Sequence, residues 1–235
     1  VKYPTLPIMA VGPGIEWSDE SPIGKAPADS TSVIAIDINT DGKPDIFVAA
    51  PSGDRAFLNQ GSGKYEAIDG LTSASAAAVW ADFDGDSRPD FASLGKAGLQ
   101  IFLQSGPLKF SPLEAMPAAA VKSGNPTLGI LDVNADGRPD LVAGVGTPFL
   151  LVNDNGHLGS PGPIPLPIGY PAEGGPCVVA DFNADGRGDI LQIGPSASAL
   201  CLGRPDGSFD SNSLTNIPIS KVETRRASTG DFDGD

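Results

Sequence analysis

The sequence predicts an all-β fold made of repeated four-stranded antiparallel blades. Three observations lead to this prediction: an acidic loop recurs along the chain, short apolar segments flank each loop, and no stretch shows helical periodicity. The loops begin 45 to 50 residues apart, at Asp37, Asp82, Asp132, Asp181 and Asp231. A fixed period of this length indicates a solenoid or a propeller, and four strands in about 48 residues is typical of a β-propeller blade.

Each loop follows one apolar segment and precedes another. The preceding segments are SVIAID, AAVWAD, TLGILD, CVVAD and RASTGD. The segments after the four complete loops are DIFVAA, DFASLG, DLVAGV and DILQIG. Because these runs are short and bounded by Gly, Pro, Asn, Asp and Ser, we interpret them as the first and second strands of each blade.

Two more segments complete each repeat. The third strands are predicted at RAFLNQ, LQIFLQ, FLLVN and ALCLG, and each runs into a polar turn. The fourth strands are predicted at YEAID, KFSPLEAM, PIPLPIG and LTNIPIS. Pro in the fourth segments fits an outer edge strand, where a missing N–H costs little.

We expect one domain over residues 1–235, because a single repeat is too small to bury a core alone. The repeats span approximately 31–75, 76–125, 126–174 and 175–224. Residues 225–235 and 1–30 are predicted to form a closing fifth blade, in which a strand at 6–11 pairs with RRASTGD. The alternative is part of a seven-bladed ring in a longer protein. Since the chain begins at Val1 and not with Met, we expect a processed or trimmed product.

Composition excludes several classes of function. The net charge of −14 argues against a nucleic-acid partner, which requires a basic surface. No apolar run approaches the ~18 residues of a membrane span. Sixteen of the 29 acidic residues lie in the five loops. The acidity therefore indicates metal-site charge rather than a polyanionic surface.

The loops have the residue types and spacing of a cation site. Oxygen ligands are predicted at loop positions 1, 3, 5 and 9, with a backbone carbonyl at position 7. The first loop supplies Asp37, Asn39, Asp41, Lys43 and Asp45, and the second Asp82, Asp84, Asp86, Arg88 and Asp90. The third supplies Asp132, Asn134, Asp136, Arg138 and Asp140, and the fourth Asp181, Asn183, Asp185, Arg187 and Asp189. The fifth has only Asp231, Asp233 and Asp235 and lacks positions 6 to 9.

Calcium fits this ligand set best. Ca²⁺ accepts six to eight oxygens in flexible geometry, whereas Mg²⁺ prefers more water and zinc prefers His or Cys. An EF-hand is excluded, because position 12 is Val48, Ser93, Ala143 or Gln192 instead of Glu and the flanking segments are strands. Gly at position 6 in three loops permits the positive φ of a tight turn. Solvated acidic turns remain the alternative, although they leave the fixed spacing unexplained.

Loops DINTDGKPD, DVNADGRPD and DFNADGRGD, with turns such as FLNQGSGKY and CLGRPDGSF, resemble FG-GAP/VCBS repeats over residues 31–235. The resemblance implies an integrin-α-like β-propeller with calcium in the loop between the first two strands of each blade. It implies about four calcium ions, or five if the truncated loop is competent. Such propellers serve in adhesion, in lectins, beside enzymes and in large assemblies.

Two classes of function remain open. The first is a non-catalytic, calcium-binding scaffold or binding module of an extracellular or periplasmic protein, which contacts a protein or a glycan through the loops and could belong to a larger complex. The second is the propeller of a secreted or periplasmic enzyme, or a lectin. The absence of a nucleophile–base pair and of a cofactor motif favours the first. Aromatic residues make up only 6% of the chain, which weakens the lectin hypothesis.

Four other sequence features suggest function but favour structural roles. RGD at 187–189 spells an adhesion tripeptide, yet Asp189 is also loop position 9. His157 is the single His and lies in a predicted turn. Cys177 and Cys201 fall in the first and third strands of one blade, ~9.5 Å apart, too far for a disulfide. Trp80 is expected to pack between blades rather than to stack on a sugar.

Overall fold

The computed structural model describes residues 27–68, 71, 73–113, 126–145, 148–160, 162–164, 177–193 and 198–214. Within these ranges every regular element is a β-strand. None of these residues belongs to a helix long and apolar enough to cross a membrane. The predicted closing blade, its strand at 6–11 and the fifth acidic loop lie outside the described residues.

The first two blades each contain four antiparallel strands in simple chain order. Blade 1 consists of β1 (Ser32–Ile36), β2 (Asp45–Ala49), β3 (Arg55–Gly61) and β4 (Lys64–Ile68). Blade 2 consists of β5 (Ser75–Ala81), β6 (Asp90–Gly95), β7 (Gly98–Gly106) and β8 (Lys109–Pro112). All eight strands coincide with predicted segments.

Blades 3 and 4 keep the same order of strands. Blade 3 consists of β9 (Pro126–Leu131), β10 (Asp140–Val145), β11 (Phe149–Leu151) and β14 (Gly162–Pro163), with a small hairpin of β12 (Asn153–Asp154) and β13 (His157–Leu158) inserted after β11. Blade 4 consists of β15 (Cys177–Ala180), β16 (Asp189–Ile193), β17 (Ser198–Gly203) and β18 (Phe209–Leu214).

The fourth strand of blade 4 was predicted in the wrong place. The prediction put it at LTNIPIS, 214–220, whereas β18 occupies Phe209–Leu214, directly after the turn at 204–208. Only Leu214 of the predicted segment is described. The short turn places β18 directly beside β17, and all six residues of β18 pair with β17. The polar sequence FDSNSL hides this edge strand from a search for apolar runs.

Each acidic loop connects the first strand of a blade to the second. The last residue of the first strand pairs with the position-9 aspartate that begins the second: Ile36 with Asp45, Ala81 with Asp90, Leu131 with Asp140, and Ala180 with Asp189. Strand β5 packs beside β9, and β9 beside β15. The four loops therefore lie at one end of the stacked blades, and we call this end the loop face.

Neighbouring blades pack against each other through three apolar clusters. One lies between blades 1 and 2, one between blades 2 and 3, and one between blades 3 and 4. In the first cluster Trp80 contacts Phe47 edge-on, with ring centroids 5.2 Å apart, and stacks on Phe91 at 4.8 Å. Trp80 is buried, which confirms that it packs between blades. Cys177 and Cys201 lie on either side of β16 and form no disulfide.

A buried carboxylate joins blades 1 and 2 at the end opposite the loop face. Asp54, in the turn between β2 and β3, accepts hydrogen bonds from the Ser73 and Ser75 hydroxyls, both at 2.6 Å. The backbone N–H groups of Ala50 and Ser75 donate to the same carboxylate at 2.9 and 3.0 Å. Four donors therefore satisfy the hydrogen-bonding capacity of the buried Asp54 carboxylate. Through them Asp54 holds the start of β5 against blade 1.

Candidate metal centre

Position 1 organises each loop. Both oxygens of Asp37 accept backbone hydrogen bonds, from Asp41 N–H at 3.0 Å and from Gly42 N–H at 2.7 Å. The position-1 aspartates of the other three loops accept the equivalent bonds from positions 5 and 6 at 2.7 to 3.0 Å. The four loops therefore share one backbone conformation, although their residues at positions 2, 4 and 6 differ.

Position 3 carries Asp in one loop and Asn in three, with equivalent geometry. The N–H of position 5 donates to the position-3 Oδ1 at 3.2 Å in all four loops, with Asn39, Asp84, Asn134 or Asn183 as the acceptor. In the second loop one ligand atom from each of Asp82, Asp84 and Asp86 lies within 4.8 Å of the others. This Asp triad could hold a metal ion, and the carboxamide oxygens of the other loops occupy the corresponding place.

The basic side chain at position 7 pairs with the carboxylate at position 5. The Nζ of Lys43 lies 2.9 Å from the Asp41 carboxylate, and Arg138 lies 3.3 Å from that of Asp136. The same ion pair joins Arg88 to Asp86 and Arg187 to Asp185. The hydrogen bond from Lys43 lowers the pKa of Asp41. Only a backbone carbonyl was predicted from position 7, although Lys or Arg at this position in every complete loop is the sequence signal for the ion pair.

Position 9 is the buried anchor of the loop. Asp45, Asp90, Asp140 and Asp189 are all fully buried. In each, Oδ2 accepts the N–H of loop position 2 at 2.8 to 2.9 Å. Oδ1 accepts an N–H at the end of the third strand at 2.7 to 2.8 Å. Burial raises the pKa of Asp90 to about 6 and also raises that of Asp140.

Two backbone positions in every loop have positive φ. Position 6 has φ of 83° to 85° where it is Gly42, Gly137 or Gly186, as predicted. Position 4, which the sequence analysis did not identify, is also left-handed, with φ of 57° to 60° at Thr40, Ala135 and Ala184. The second loop exchanges the two residue types, with Gly85 at position 4 (φ 79°) and Ser87 at position 6 (φ 67°). The exchange explains how this loop keeps its conformation without Gly at position 6.

The adhesion tripeptide is not presented to a partner. Asp189 is buried, and its two oxygens accept Phe182 N–H and Gly203 N–H, both at 2.8 Å. Gly188 lies against Leu131, and an added Cβ would come within 2.5 Å of that side chain. Its N–H donates to the Asp132 carbonyl of the preceding blade at 2.8 Å. RGD is therefore part of the contact between blades 3 and 4.

The repeated loops agree with a known family. The profile of the FG-GAP-like repeat matches residues 37–93, 82–143 and 132–192. The chain belongs to the FG-GAP-like repeat family. Each match begins at position 1 of one acidic loop and ends inside the second strand of the following blade, so the family unit includes two consecutive loops.

Solved structures show that these FG-GAP-like repeats build a β-propeller. An Agrocybe aegerita lectin that recognises non-reducing terminal N-acetylglucosamine aligns with a TM-score of 0.64 at 21% identity, over 83% of this chain and 54% of the lectin. The BBS1N chain of a complex with ARL6DN aligns with a TM-score of 0.52 at 14% identity, over 82% and 58%. The chain thus spans a little over half the length of each, and the likeness is one of fold. Comparison with curated protein sequences finds no match.

The FG-GAP-like loops fit a hard cation. Their side chains offer oxygen ligands, from Asp or Asn, at positions 1, 3, 5 and 9, and in the second loop the groups at positions 1, 3 and 5 lie within 4.8 Å of one another. Hard oxygen ligands suit calcium or magnesium and disfavour zinc. At position 12, Val48, Ser93, Ala143 and Gln192 are buried in the second strands, so none of these loops is an EF-hand.

A cavity of about 1210 Å³ opens between the second, third and fourth loops. Its lining includes Asp82, Asp84, Arg138, Asn155 and Arg187. These carboxylate, guanidinium and amide groups could bind a polar ligand or the surface of a partner. His157, by contrast, is exposed on β13, where it pairs with Asp154.

Proposed function

We propose that this chain is a non-catalytic, calcium-binding β-propeller that acts outside the cytoplasm as a binding or scaffold module. The observation that carries the proposal is the equivalent geometry of the four complete loops. Positions 1, 3, 5 and 9 present oxygen atoms in each, and backbone N–H groups hold them in the same arrangement. Calcium sites of extracellular modules bind with Kd of ~10⁻⁴–10⁻³ M, which suits an exposed loop of this kind.

The loop face supports a role in binding. Its cavity combines carboxylates, arginines and amides, and calcium in the loops would stiffen this lining. The solved structures offer two precedents for what such a propeller contacts. One is a lectin for terminal N-acetylglucosamine, and the other was crystallised with the protein ARL6DN. A protein or a glycan is accordingly the class of partner that we propose, within a larger assembly or alone.

A lectin is the second candidate, and the fold of the Agrocybe aegerita protein favours it. Against it, Trp80 packs between blades and presents no exposed ring for a sugar. A glycan array run with and without Ca²⁺ separates the two candidates. Calcium-dependent binding to a defined glycan supports the lectin, whereas a silent array supports a protein partner. Turnover in a hydrolase screen would contradict the non-catalytic assignment.

Thermal melting with and without EDTA tests calcium binding. At ~1 mM Ca²⁺ and Kd ~10⁻⁴ M, each site adds about 1.4 kcal/mol to the free energy of unfolding. Four sites should therefore raise the melting temperature by well over ten degrees, since 1 kcal/mol shifts Tm by roughly 2–4 °C in a chain of this size. Asp84→Ala should lose part of this increment, while the exposed Asp206→Ala, outside the loops, should keep all of it. An unchanged melting temperature would contradict calcium binding.

A further inference from the structure

Two buried amide side chains connect consecutive blades next to the loops. The Nε2 of Gln104, at the end of the third strand of blade 2, donates to the Ile38 carbonyl of the first loop at 2.9 Å. The Nδ2 of Asn153, which follows the third strand of blade 3, donates to the Phe83 carbonyl of the second loop at 2.8 Å. Gln104 and Asn153 are 1% and 0% exposed, so no water replaces these bonds.

The same two residues also hold the anchor carboxylate of their own blade. Gln104 N–H donates to Asp90 Oδ1, and Asn153 N–H donates to Asp140 Oδ1, both at 2.7 Å. The two residues whose carbonyls accept these side-chain N–H groups are themselves bound to position-9 aspartates. Ile38 N–H donates to Asp45, and Phe83 N–H donates to Asp90.

A path of hydrogen bonds, joined through the covalent bonds of the residues between them, therefore runs from the first loop to the third. It passes through Asp45, Ile38, Gln104, Asp90, Phe83, Asn153 and Asp140. All three carboxylates in it belong to position-9 aspartates, which are predicted cation ligands. At Asp90 two hydrogen bonds of this path share one carboxylate, so a change in the charge of that group alters both.

The boundary between blades 3 and 4 uses a different bond. The residue equivalent to Gln104 and Asn153 is Gly203, which has no side chain. Position 8, which is Pro in the first three loops, is Gly188 in the fourth, and its N–H supplies the bond to blade 3. An added Cβ at Gly203 would lie 2.6 Å from the carbonyl of residue 188, so this close approach requires glycine at 203.

We propose that Gln104 and Asn153 couple the cation sites of the first three blades, so that occupancy of one loop changes the affinity of its neighbours. This proposal rests on the proposed calcium function. A cation that shares the charge of Asp90 changes how strongly this carboxylate accepts Phe83 N–H and Gln104 N–H. Those donors belong to residues bound to Asn153 and to Ile38, so the change extends to the third and first loops. Gln104 and Asn153 act as positioning residues and touch no cation.

Calorimetric titration of the whole chain with Ca²⁺ tests the coupling. Asp84→Ala removes a ligand of the second loop, and because Asp84 is exposed the fold should be retained. We expect this variant to lose one site and the remaining sites to bind about fivefold more weakly, at the low end of usual coupling. The control Asp206→Ala should bind as the unaltered chain does.

The amide variants then assign the coupling to the hydrogen-bond chain. Gln104→Met with Asn153→Leu approximates the shape of the two side chains and removes both amide donors. In this background Asp84→Ala should leave the calcium affinity of the other sites unchanged. Gln104→Asn combined with Asn153→Leu puts an asparagine amide in blade 2, as blade 3 naturally has. Compared with the first double variant, this one should regain coupling between the first two loops. Circular dichroism confirms the fold of each variant, and Asp84→Ala alone remains a full test if the double variant does not fold.

Three outcomes separate the two proposals. Sites that weaken with Asp84→Ala only when the amides are present support the coupling. Calcium binding with independent sites, in which Asp84→Ala leaves the others within twofold, overturns the coupling and leaves the calcium function standing. No calcium binding by the unaltered chain overturns both.

Discussion

At the scale of single residues, the loops contain backbone strain and a buried charge. Four residues other than Gly adopt positive φ in them: Thr40, Ser87, Ala135 and Ala184. A left-handed conformation costs an L-residue roughly 1–2 kcal/mol. The position-9 carboxylates are buried and depend on backbone donors. Backbone strain and buried carboxylates at a few positions therefore contribute to the stability of the loops.

In the third loop, backbone strain can be both removed and added by single substitutions at positions with positive φ. Ala135→Gly should raise the free energy of unfolding by about 1 kcal/mol, because Ala135 has φ of 59°. Gly137→Ala should lower it by a similar amount, since an added Cβ meets nothing within 4 Å and only φ, at +83°, opposes it. Urea unfolding in EDTA measures both. Equal effects of the same sign would contradict the assigned backbone.

Asp140 should matter far more than His157. Asp140→Ala leaves the buried N–H groups of Val133 and Asn153 without an acceptor, at about 1–3 kcal/mol each, and removes a predicted calcium ligand. His157→Ala removes an exposed side chain and should change stability by less than about 0.5 kcal/mol. Chemical denaturation with calcium titration compares the two variants. If they unfold alike and bind calcium alike, the ranking of these residues is wrong.

At the scale of the element, each loop with its two strands forms one unit. The loop joins the end of the first strand to the start of the second, and its anchor also bonds the third strand. A cation in the loop would therefore act on three strands of the same blade. The pairing of basic position 7 with position 5 neutralises part of the loop charge without metal.

Stabilisation by calcium should depend on pH through the anchors. Burial raises the pKa of Asp90 to about 6, and a ligand must lose its proton to bind metal. The calcium-induced rise in melting temperature should therefore be full above pH 6 and shrink as pH falls below it. Without metal the sign reverses: a raised pKa in the folded state means that this group adds stability as pH falls from about 6 to about 4.

Melting curves at pH 7.5 and pH 5.0, each with calcium and with EDTA, check this prediction. Asp90→Asn, which cannot titrate, should reduce the difference between the two pH values. An increment of equal size at both pH values would show that protonation of a buried carboxyl does not compete with cation binding.

At the scale of the whole molecule, each of the first three blades has its position-2 residue buried by the following blade. The position-2 residues Ile38, Phe83 and Val133 are 0 to 2% exposed, because the following blade packs over them. Phe182 occupies the same position in the fourth loop and is 39% exposed. Blade 4 therefore has a face of the kind that the other blades bury.

Closure of the ring by a fifth blade remains a prediction. If residues 6–11 pair with 226–231, Phe182 should be protected by the blade that they begin. Cross-strand NOEs between the backbone amides of the two segments would show pairing at ~4.8 Å, the spacing of neighbouring strands. Segments without such contacts would contradict the five-bladed ring and favour a longer propeller.

The sequence by itself determined the blades, most of the strands and the loop positions. It could do so because strand alternation, turn residues and the Asp spacing are local patterns, and five copies of a pattern reinforce one another. It failed at β18, where the strand is polar and only pairing with β17 defines it.

Only the tertiary structure decided which side chains of one blade hydrogen-bond to the loop of another. Gln104 and Ile38 are 66 residues apart in the chain, and Asn153 and Phe83 are 70 apart. No local pattern indicates that such residues meet, because the packing of one blade on the next brings them together. The same packing explains the RGD sequence: Gly188 donates its N–H to Asp132 of the preceding blade, at the boundary where Gly203 has no side chain to make such a bond. Because Asp189 is buried and Gly188 contacts blade 3, the RGD sequence forms a contact between blades.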